Sequence, residues 1–338
     1  MTLRDALDQL TRRHDLTQAD AAAVLRIIMS GEATPAQTGA LLAALRTKGE
    51  TVDEIAGFAE TMRAFATRVI TRRTPLVDTC GTGGDRSGTF NISTTAAFVA
   101  AGAGAAVAKH GNRSATSKCG SADVLEHLGV NIDASPETVG KCLDEIGIGF
   151  LFARSLHGAM KHVGPIRAEL GVRTVFNILG PLTNPAGADA QVMGVFDAAL
   201  LEPIAEVLVR LGVRHAYVVA GADGLDEITL SASTHVAEAR DGAVRTYEIN
   251  PEHFGCESAP KEAVLGGDAS ENAGILVKVL EGQTGPRRDI VLMNAAAALA
   301  AAGVAHDLRE GFGLAARAID SGAALEKLEA LKTLSHGN

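Results

Sequence analysis

Cysteine is scarce in this 338-residue chain: Cys80, Cys119, Cys142 and Cys256 lie far apart, and none forms a C-x-x-C pair. That spacing signals neither a disulfide framework nor a zinc site. Proline is also sparse, 10 residues against 37 glycines, so the glycine belongs neither to collagen nor to a flexible linker. Positive charge is in deficit. Lys and Arg total 31 against 40 Asp and Glu, a formal net charge of −9. This weighs against a general nucleic-acid binder but leaves room for a local basic pocket that takes a phosphorylated small molecule. Long apolar runs are absent as well. Ala96 to Ala108 and Val291 to Ala305, the latter broken by Asn294, fall short of the ~20 residues that span a bilayer. The opening Met1-Thr2-Leu3-Arg4-Asp5 predicts no secretory leader, and the expected location is cytoplasmic, with no membrane partner.

What is present, 46% hydrophobic and 21% charged residues, describes a globular chain of one large domain or two smaller ones. Residues 1 to about 70 carry apolar positions at helical spacing only, as in Ala21-Ala22-Val24-Leu25-Ile28 and Ile55-Phe58-Met62-Phe65. Thr17, Thr34 and Thr51 precede such segments, and Thr51 with Glu54 forms a capping-box pattern. Four short helices are expected here. From Pro75 the pattern changes. Short apolar runs at Leu76-Val77, Ala96–Ala101, Ala106–Ala108 and Val124–Leu128 alternate with helical stretches. Val192–Phe196, a helix near Glu202–Leu211 and the β-rich Ala216–Ala220 follow. Alternation of this kind predicts an α/β fold, a mainly parallel sheet covered by helices on both faces. Val236–Glu238 and Val244–Ile249 read as a late hairpin turning at Asp241-Gly242, and helices return from about residue 270.

The segment Asp78 to Thr94, DTCGTGGDRSGTFNIST, follows a strand and leads into a helix. Its four glycines free the backbone to turn several N–H groups onto one anion, and Asn91, Ser93 and Thr94 fall at the helix start, where phosphate is favoured. A plain tight turn with an N-cap is the competing reading. Two familiar phosphate loops are excluded: Thr89 stands where a P-loop needs lysine, and Arg86 where a dinucleotide fingerprint needs its third glycine. A second cluster, Lys109 to Ser121, gathers three cations and five hydroxyl or amide side chains in 13 residues, which suits either a polyphosphate or a solvated basic loop. The tetrad [VL]DEI occurs at Val52–Ile55, Leu143–Ile146 and Leu225–Ile228. The first two read as solvated helix faces. The third follows a strand and the turn Gly221–Gly224, where α/β sheets gather ligands, so Asp226 and Glu227 are candidates for Mg²⁺. Arg167 is a helix-face charge or a carboxylate fork; His157 and His162 have no metal-ligand context.

Four motifs in order, CGTGGD…SGTFNIST, KHGNR…S…GSADVLE, LGVRTVFNILGPLTNP and GLDEI…T, closely resemble the anthranilate phosphoribosyltransferases over nearly the whole chain. The resemblance implies a small helical domain, residues 1–70 completed by helices around 163–182, beside an α/β domain, 71–338, in a homodimer. It implies transfer of a phosphoribosyl group from phosphoribosyl pyrophosphate to anthranilate. By position, Gly81, Gly84, Asp85, Thr89, Asn91, Ile92, Ser93, Thr94, Lys109, His110, Gly111, Asn112, Arg113, Ser114, Ala115, Thr116, Ser117 and Ser121 would hold the donor. Gly81, Asn112 and Arg167 would receive anthranilate, and Ser93, Asp226 and Glu227 would serve two Mg²⁺ ions. No acid–base residue is assigned. Two departures stand out: Arg86 where the family has a small or flexible residue, and Gly158 in place of a common proline. The alternatives are a pyrimidine nucleoside phosphorylase, which shares the fold, and a non-catalytic relative that binds nucleic acid.

Overall fold

The computed structural model describes residues 1–85, 87–114 and 118–337; Arg86, Ala115, Thr116 and Ser117 lie outside them. The chain opens with four helices, α1 (Leu3–Thr11), α2 (Gln18–Met29), α3 (Pro35–Lys48) and α4 (Val52–Phe65). Threonine starts each one: Thr2, Thr17, Thr34 and Thr51 accept the backbone N–H three residues on, satisfying a donor the first turn would leave orphaned. Glu54 departs from the solvated face expected of it. It is buried, accepting from the Leu16 and Thr51 N–H groups at 3.0 and 2.9 Å and from Lys48 Nζ at 3.0 Å.

Strand and helix then alternate: β1 (Leu76–Gly81), α5 (Ile92–Gly102), β2 (Ala106–Gly111), α6 (Ser121–His127), α7 (Pro136–Ile146) and β3 (Ile148–Phe152). A run of short helices follows, α8 (Ala153–Leu156), α9 (Gly164–Leu170) and α10 (Phe176–Leu179). Next come β4 (Ala190–Gly194), α11 (Leu201–Arg210), β5 (His215–Gly221), β6 (Thr234–Arg240) and β7 (Ala243–Ile249). Helices α12 (Ala269–Leu280), α13 (Pro286–Ala301), α14 (Leu308–Asp320) and α15 (Ala323–Leu334) close the chain. The apolar runs at 96–101 and 124–128 are helical, in α5 and α6. All-round burial of 96–101 removes the periodicity that would have marked that run as helical, and 124–128 is too short to show a helical period. No helix among the described residues is long and apolar enough to cross a membrane.

The sheet runs β3-β2-β1-β4-β5-β6-β7, parallel through β5 and antiparallel at the β6–β7 edge. Asp241 and Gly242 both have positive φ, 50° and 83°, the pairing a tight two-residue hairpin turn requires. Alternate strand residues feed two cores. Val77, Val192, Tyr217 and Val219 pack with the alanine-rich α5 and α13 on one face. Met193, Ala216 and Val218 pack on the other with α11, α10 and the four N-terminal helices. Strand order reverses between β1 and β4, and the crevice beyond their carboxyl ends is where open α/β sheets take ligands.

Candidate active site

Gly81 and Gly194, the last residues of β1 and β4, are paired neighbours at that reversal. The turn after β5, closed by the Gly221 N–H on the Leu225 carbonyl at 2.8 Å, lays Asp226 across both. A Cβ on Gly194 would stand 1.6 Å from the Asp226 carbonyl oxygen, and one on Gly81 2.7 Å from Asp226 Oδ2. Glycine is therefore required at both strand ends. Asp226 Oδ2 accepts the Gly83 N–H at 2.9 Å, and Glu227 Oε1 accepts the Ser93 N–H at 3.1 Å. The acidic pair thus grips both ends of the glycine loop.

Both carboxylates are pushed well above their ordinary range. Burial is the largest cause for each; the charge of Asp85 adds to it for Asp226, and that of Asp226 for Glu227. Asp85 Oδ2 is itself buried without a partner among the described residues. Lys109 offers the nearest compensation. Strand β2 continues past Ala108 to Gly111, so Lys109 and His110 are sheet residues and not loop residues, and both are buried. Lys109 Nζ donates to the Thr79 carbonyl and reaches Ser93 Oγ at 3.5 Å. Burial lowers its pKa against the raising effect of Asp78. Among the described residues no group of three or more His, Cys, Asp or Glu side chains could hold a metal by itself. Two charge-starved carboxylates beside the glycine loop nonetheless fit Mg²⁺, which takes few carboxylates and completes its shell with phosphate and water.

The basic cluster is only partly turned toward this crevice. Arg113 is engaged by α6, pairing with Asp123 at 2.9 Å and Glu126 at 2.7 Å. Asn112 and Ser121 bind each other through the Asn112 N–H and carbonyl, and the Ser114 N–H goes to Asp123. Gly111 ends β2 against Ser121 Oγ and Phe150. Thr89 bridges to Leu265, the Ile92 and Thr94 side chains are buried, and the Ile92 N–H donates to the Phe90 carbonyl at 2.8 Å. Arg167, on α9, packs its guanidinium over the Phe176 ring at 5.4 Å, and burial lowers its pKa.

Several residues that sequence reasoning passed over join the site. His157 packs against His110 with ring centroids 5.2 Å apart. Burial depresses both, His110 to about 3 and His157 to about 4, so both are neutral near pH 7. Nε2 of His110 and both ring nitrogens of His157 are buried without hydrogen-bond partners among the described residues. Asp78 accepts the His110 N–H at 3.0 Å and the Asn184 amide at 2.8 Å, which explains the asparagine of the GPLTNP stretch. Arg173 donates to the Gly84 carbonyl, where Gly84 has φ +78°. The quoted LGVRTVFN motif contained Arg173, but nothing in its spacing pointed at the glycine loop.

Comparison with known proteins agrees with this geometry. Residues 73–325 match the model of the glycosyl transferase family a/b domain, and residues 4–66 that family's helical bundle domain. An anthranilate phosphoribosyltransferase from Symbiobacterium thermophilum is 59% identical over 99% of this chain and 98% of its own length. One from Herpetosiphon aurantiacus is 56% identical across both full lengths. Among solved structures, the enzyme of that name from Thermus thermophilus superimposes with a TM-score of 0.94 at 48% identity, covering 98% of this chain and 99% of that one. The Saccharomyces cerevisiae enzyme in complex with phosphoribosyl pyrophosphate and Mg gives 0.90 at 29%, covering 99% and 98%.

Proposed function

This chain belongs to the glycosyl transferase family as one of its anthranilate phosphoribosyltransferases, and on that premise we propose how its residues divide the work. The enzyme transfers the 5-phosphoribosyl group from phosphoribosyl pyrophosphate to the amine of anthranilate, releasing pyrophosphate, in tryptophan biosynthesis. It uses Mg²⁺.

The loop from Gly81 to Thr94, with Lys109, Asn112 and Ser121, cradles the donor, while the loop's Gly83 and Ser93 N–H groups stay with Asp226 and Glu227. Arg113 reaches it only by exchanging its α6 partners. Asp226, Glu227 and Ser93 would hold Mg²⁺, which when bound supplies positive charge to the departing pyrophosphate. Two ions are proposed because Asp85 adds an unpartnered carboxylate oxygen beside Asp226. Arg167 pairs with the anthranilate carboxylate, while Gly81 and Asn112 face its ring. The aromatic amine is uncharged at neutral pH and attacks directly, so positioning and electrostatics take the place of a general base. Neutral His110 and His157 keep the space beside them free of positive charge. The domain division at residue 70, the homodimer and the cytoplasmic location are part of the same proposal, supported by the family resemblance.

The observation that carries this reading is the grip of Asp226 and Glu227 on the two ends of the glycine loop. Its test follows anthranilate fluorescence with phosphoribosyl pyrophosphate and Mg²⁺, each omitted in turn. Loss of fluorescence that needs every component is expected. A folded protein that leaves anthranilate untouched would overturn the assignment, and phosphate-dependent cleavage of uridine or thymidine would replace it.

A further inference from the structure

Asn272, on α12, is 1% exposed and lies outside every motif described above. Its Oδ1 accepts the Gly267 N–H at 2.8 Å. A backbone N–H can face only the oxygen of an amide, so this bond fixes which way Asn272 points. Its Nδ2 is thereby turned onto Oδ1 of Asn91, 3.0 Å away. Cys119 Sγ approaches the same oxygen at 3.5 Å. That thiol has one proton and lies equally close, 3.5 Å, to the Gly120 carbonyl, so it is the Asn272 donor that turns the Asn91 nitrogen the other way, where Nδ2 donates to the Cys119 carbonyl at 3.3 Å. The second N–H of that nitrogen has no protein partner among the described residues.

We infer that Asn272 is a positioning residue for the donor site: it locks the Asn91 amide so that Asn91 offers N–H, and not its carbonyl, to the anionic phosphoribosyl pyrophosphate. The chemistry is one of sign. An amide N–H attracts a phosphate or ribose oxygen, whereas an amide carbonyl repels it, and the two orientations have nearly the same shape. The lock spans three segments. The stretch 264–267 pairs with the glycine loop through Phe90 N–H on the Val264 carbonyl at 3.2 Å and Gly266 N–H on the Gly88 carbonyl at 2.9 Å. Asn272 carries that stretch's Gly267 N–H bond on to Asn91 at the start of α5, and Asn91 carries it to Cys119 at the end of the basic cluster. Any of the three segments moving out of place would loosen the amide.

This inference rests on the reading of Asn91 as a donor contact, and the experiment separates the two. Steady-state constants are measured at about pH 8 for the full-length enzyme and for Asn272→Asp, Asn272→Ser, Asn91→Ala and the double variants. Asn272→Asp keeps the acceptor for Gly267 but sets an oxygen against Asn91 Oδ1, which forces the amide over. It should raise KM for phosphoribosyl pyrophosphate about tenfold or more, as loss of an outer orienting partner does, and leave KM for anthranilate nearly unchanged. In the Asn91→Ala background the same substitution should add almost nothing, because its effect passes through Asn91. If Asn272→Asp is poorly folded, Asn272→Ser, whose shorter side chain withdraws the amide donor from Asn91 without adding charge, makes the same comparison. Additive effects, or equal effects on both substrates, would mean that Asn272 only supports the fold and would overturn the inference. So would an unchanged donor KM in a folded Asn272 variant while Asn91→Ala is impaired. A silent Asn91→Ala would instead remove the donor-contact reading, and the inference with it.

Discussion

The guanidinium of Arg173 lies 3.9 Å from the centre of the Phe196 ring while donating to the carbonyl of Gly84. The chain leaving β4 is thereby stacked under a cation that holds the glycine loop, and Phe196 N–H also donates to Thr82 Oγ1 at 3.2 Å. Arg173→Ala should raise KM for phosphoribosyl pyrophosphate several-fold, since a half-buried cation–π contact is worth about 1 kcal/mol. Arg173→Lys should recover little, lacking the flat face that stacks. Equal constants for wild type and Arg173→Ala would show that the loop holds itself.

Arg167 gives the opposite split. Its place over Phe176 and its expected fork onto a carboxylate predict that Arg167→Ala raises KM for anthranilate much more than for the donor. Steady-state titration of each substrate at saturating levels of the other reads this directly; matched increases would remove Arg167 from the acceptor site.

Under the proposed metal role, the acidic pair trades stability for metal binding. Burial, with the charge of Asp85 acting on Asp226 and that of Asp226 on Glu227, raises both folded-state pKa values above the unfolded ones. In the window between the two, the folded protein binds more protons than the unfolded chain, so this contribution to stability is present at low pH and is lost as pH rises through neutrality. Asp226→Asn with Glu227→Gln removes that loss. Without metal, the double variant should melt at a higher temperature than wild type at about pH 8 and lose its advantage toward pH 5, while turnover falls about 100-fold or more. Mg²⁺ with the donor should raise the wild-type melting temperature more at the higher pH. Thermal scans at the two pH values decide it, and wild-type turnover in the double variant at limiting Mg²⁺ would contradict the metal role.

His110 and His157 act with the other sign. Their folded pKa values, about 3 and about 4, lie below the ordinary histidine value of about 6.5. The unfolded chain therefore binds more protons in that interval, and stability is lost as pH falls through it. His157→Gln should flatten the decline in melting temperature between about pH 6 and pH 4. A decline as steep as wild type would place the acid sensitivity elsewhere.

Most of the fold was legible because its signals are local. The threonine caps, the Asp241-Gly242 turn and the buried run of β5 each declare themselves within a few residues. Strand β3 did not, since Ile148–Phe152 follows α7 after a single glycine and reads as a continuation of its apolar face. Likewise the glycine loop and Asp226-Glu227 were visible as candidates, but their union was not. Residue spacing says nothing about a contact made across 143 positions, as that between Gly83 and Asp226 is. Asn272 and Arg173 were invisible for a related reason, and His157 read only as a surface or core histidine. Each is an ordinary residue type in an ordinary helix or loop, and only the partner it meets gives it a task. Glu54 shows the converse, a charge whose burial follows from Lys48 and two backbone donors that helix periodicity does not record.

The apolar interior of the four N-terminal helices has no wall of its own on the sheet side. Met193, Val218 and Ala237 of the strands, together with Ile204 and Leu208 of α11, belong to the same continuous cluster as Leu25, Leu42 and Phe58. The change of character near residue 70 is accordingly a change in element type and not a seam in cohesion. Pulling the helices away would uncover α11 and the part of the sheet that it shares with them, so the helical and α/β parts gain or lose their order together.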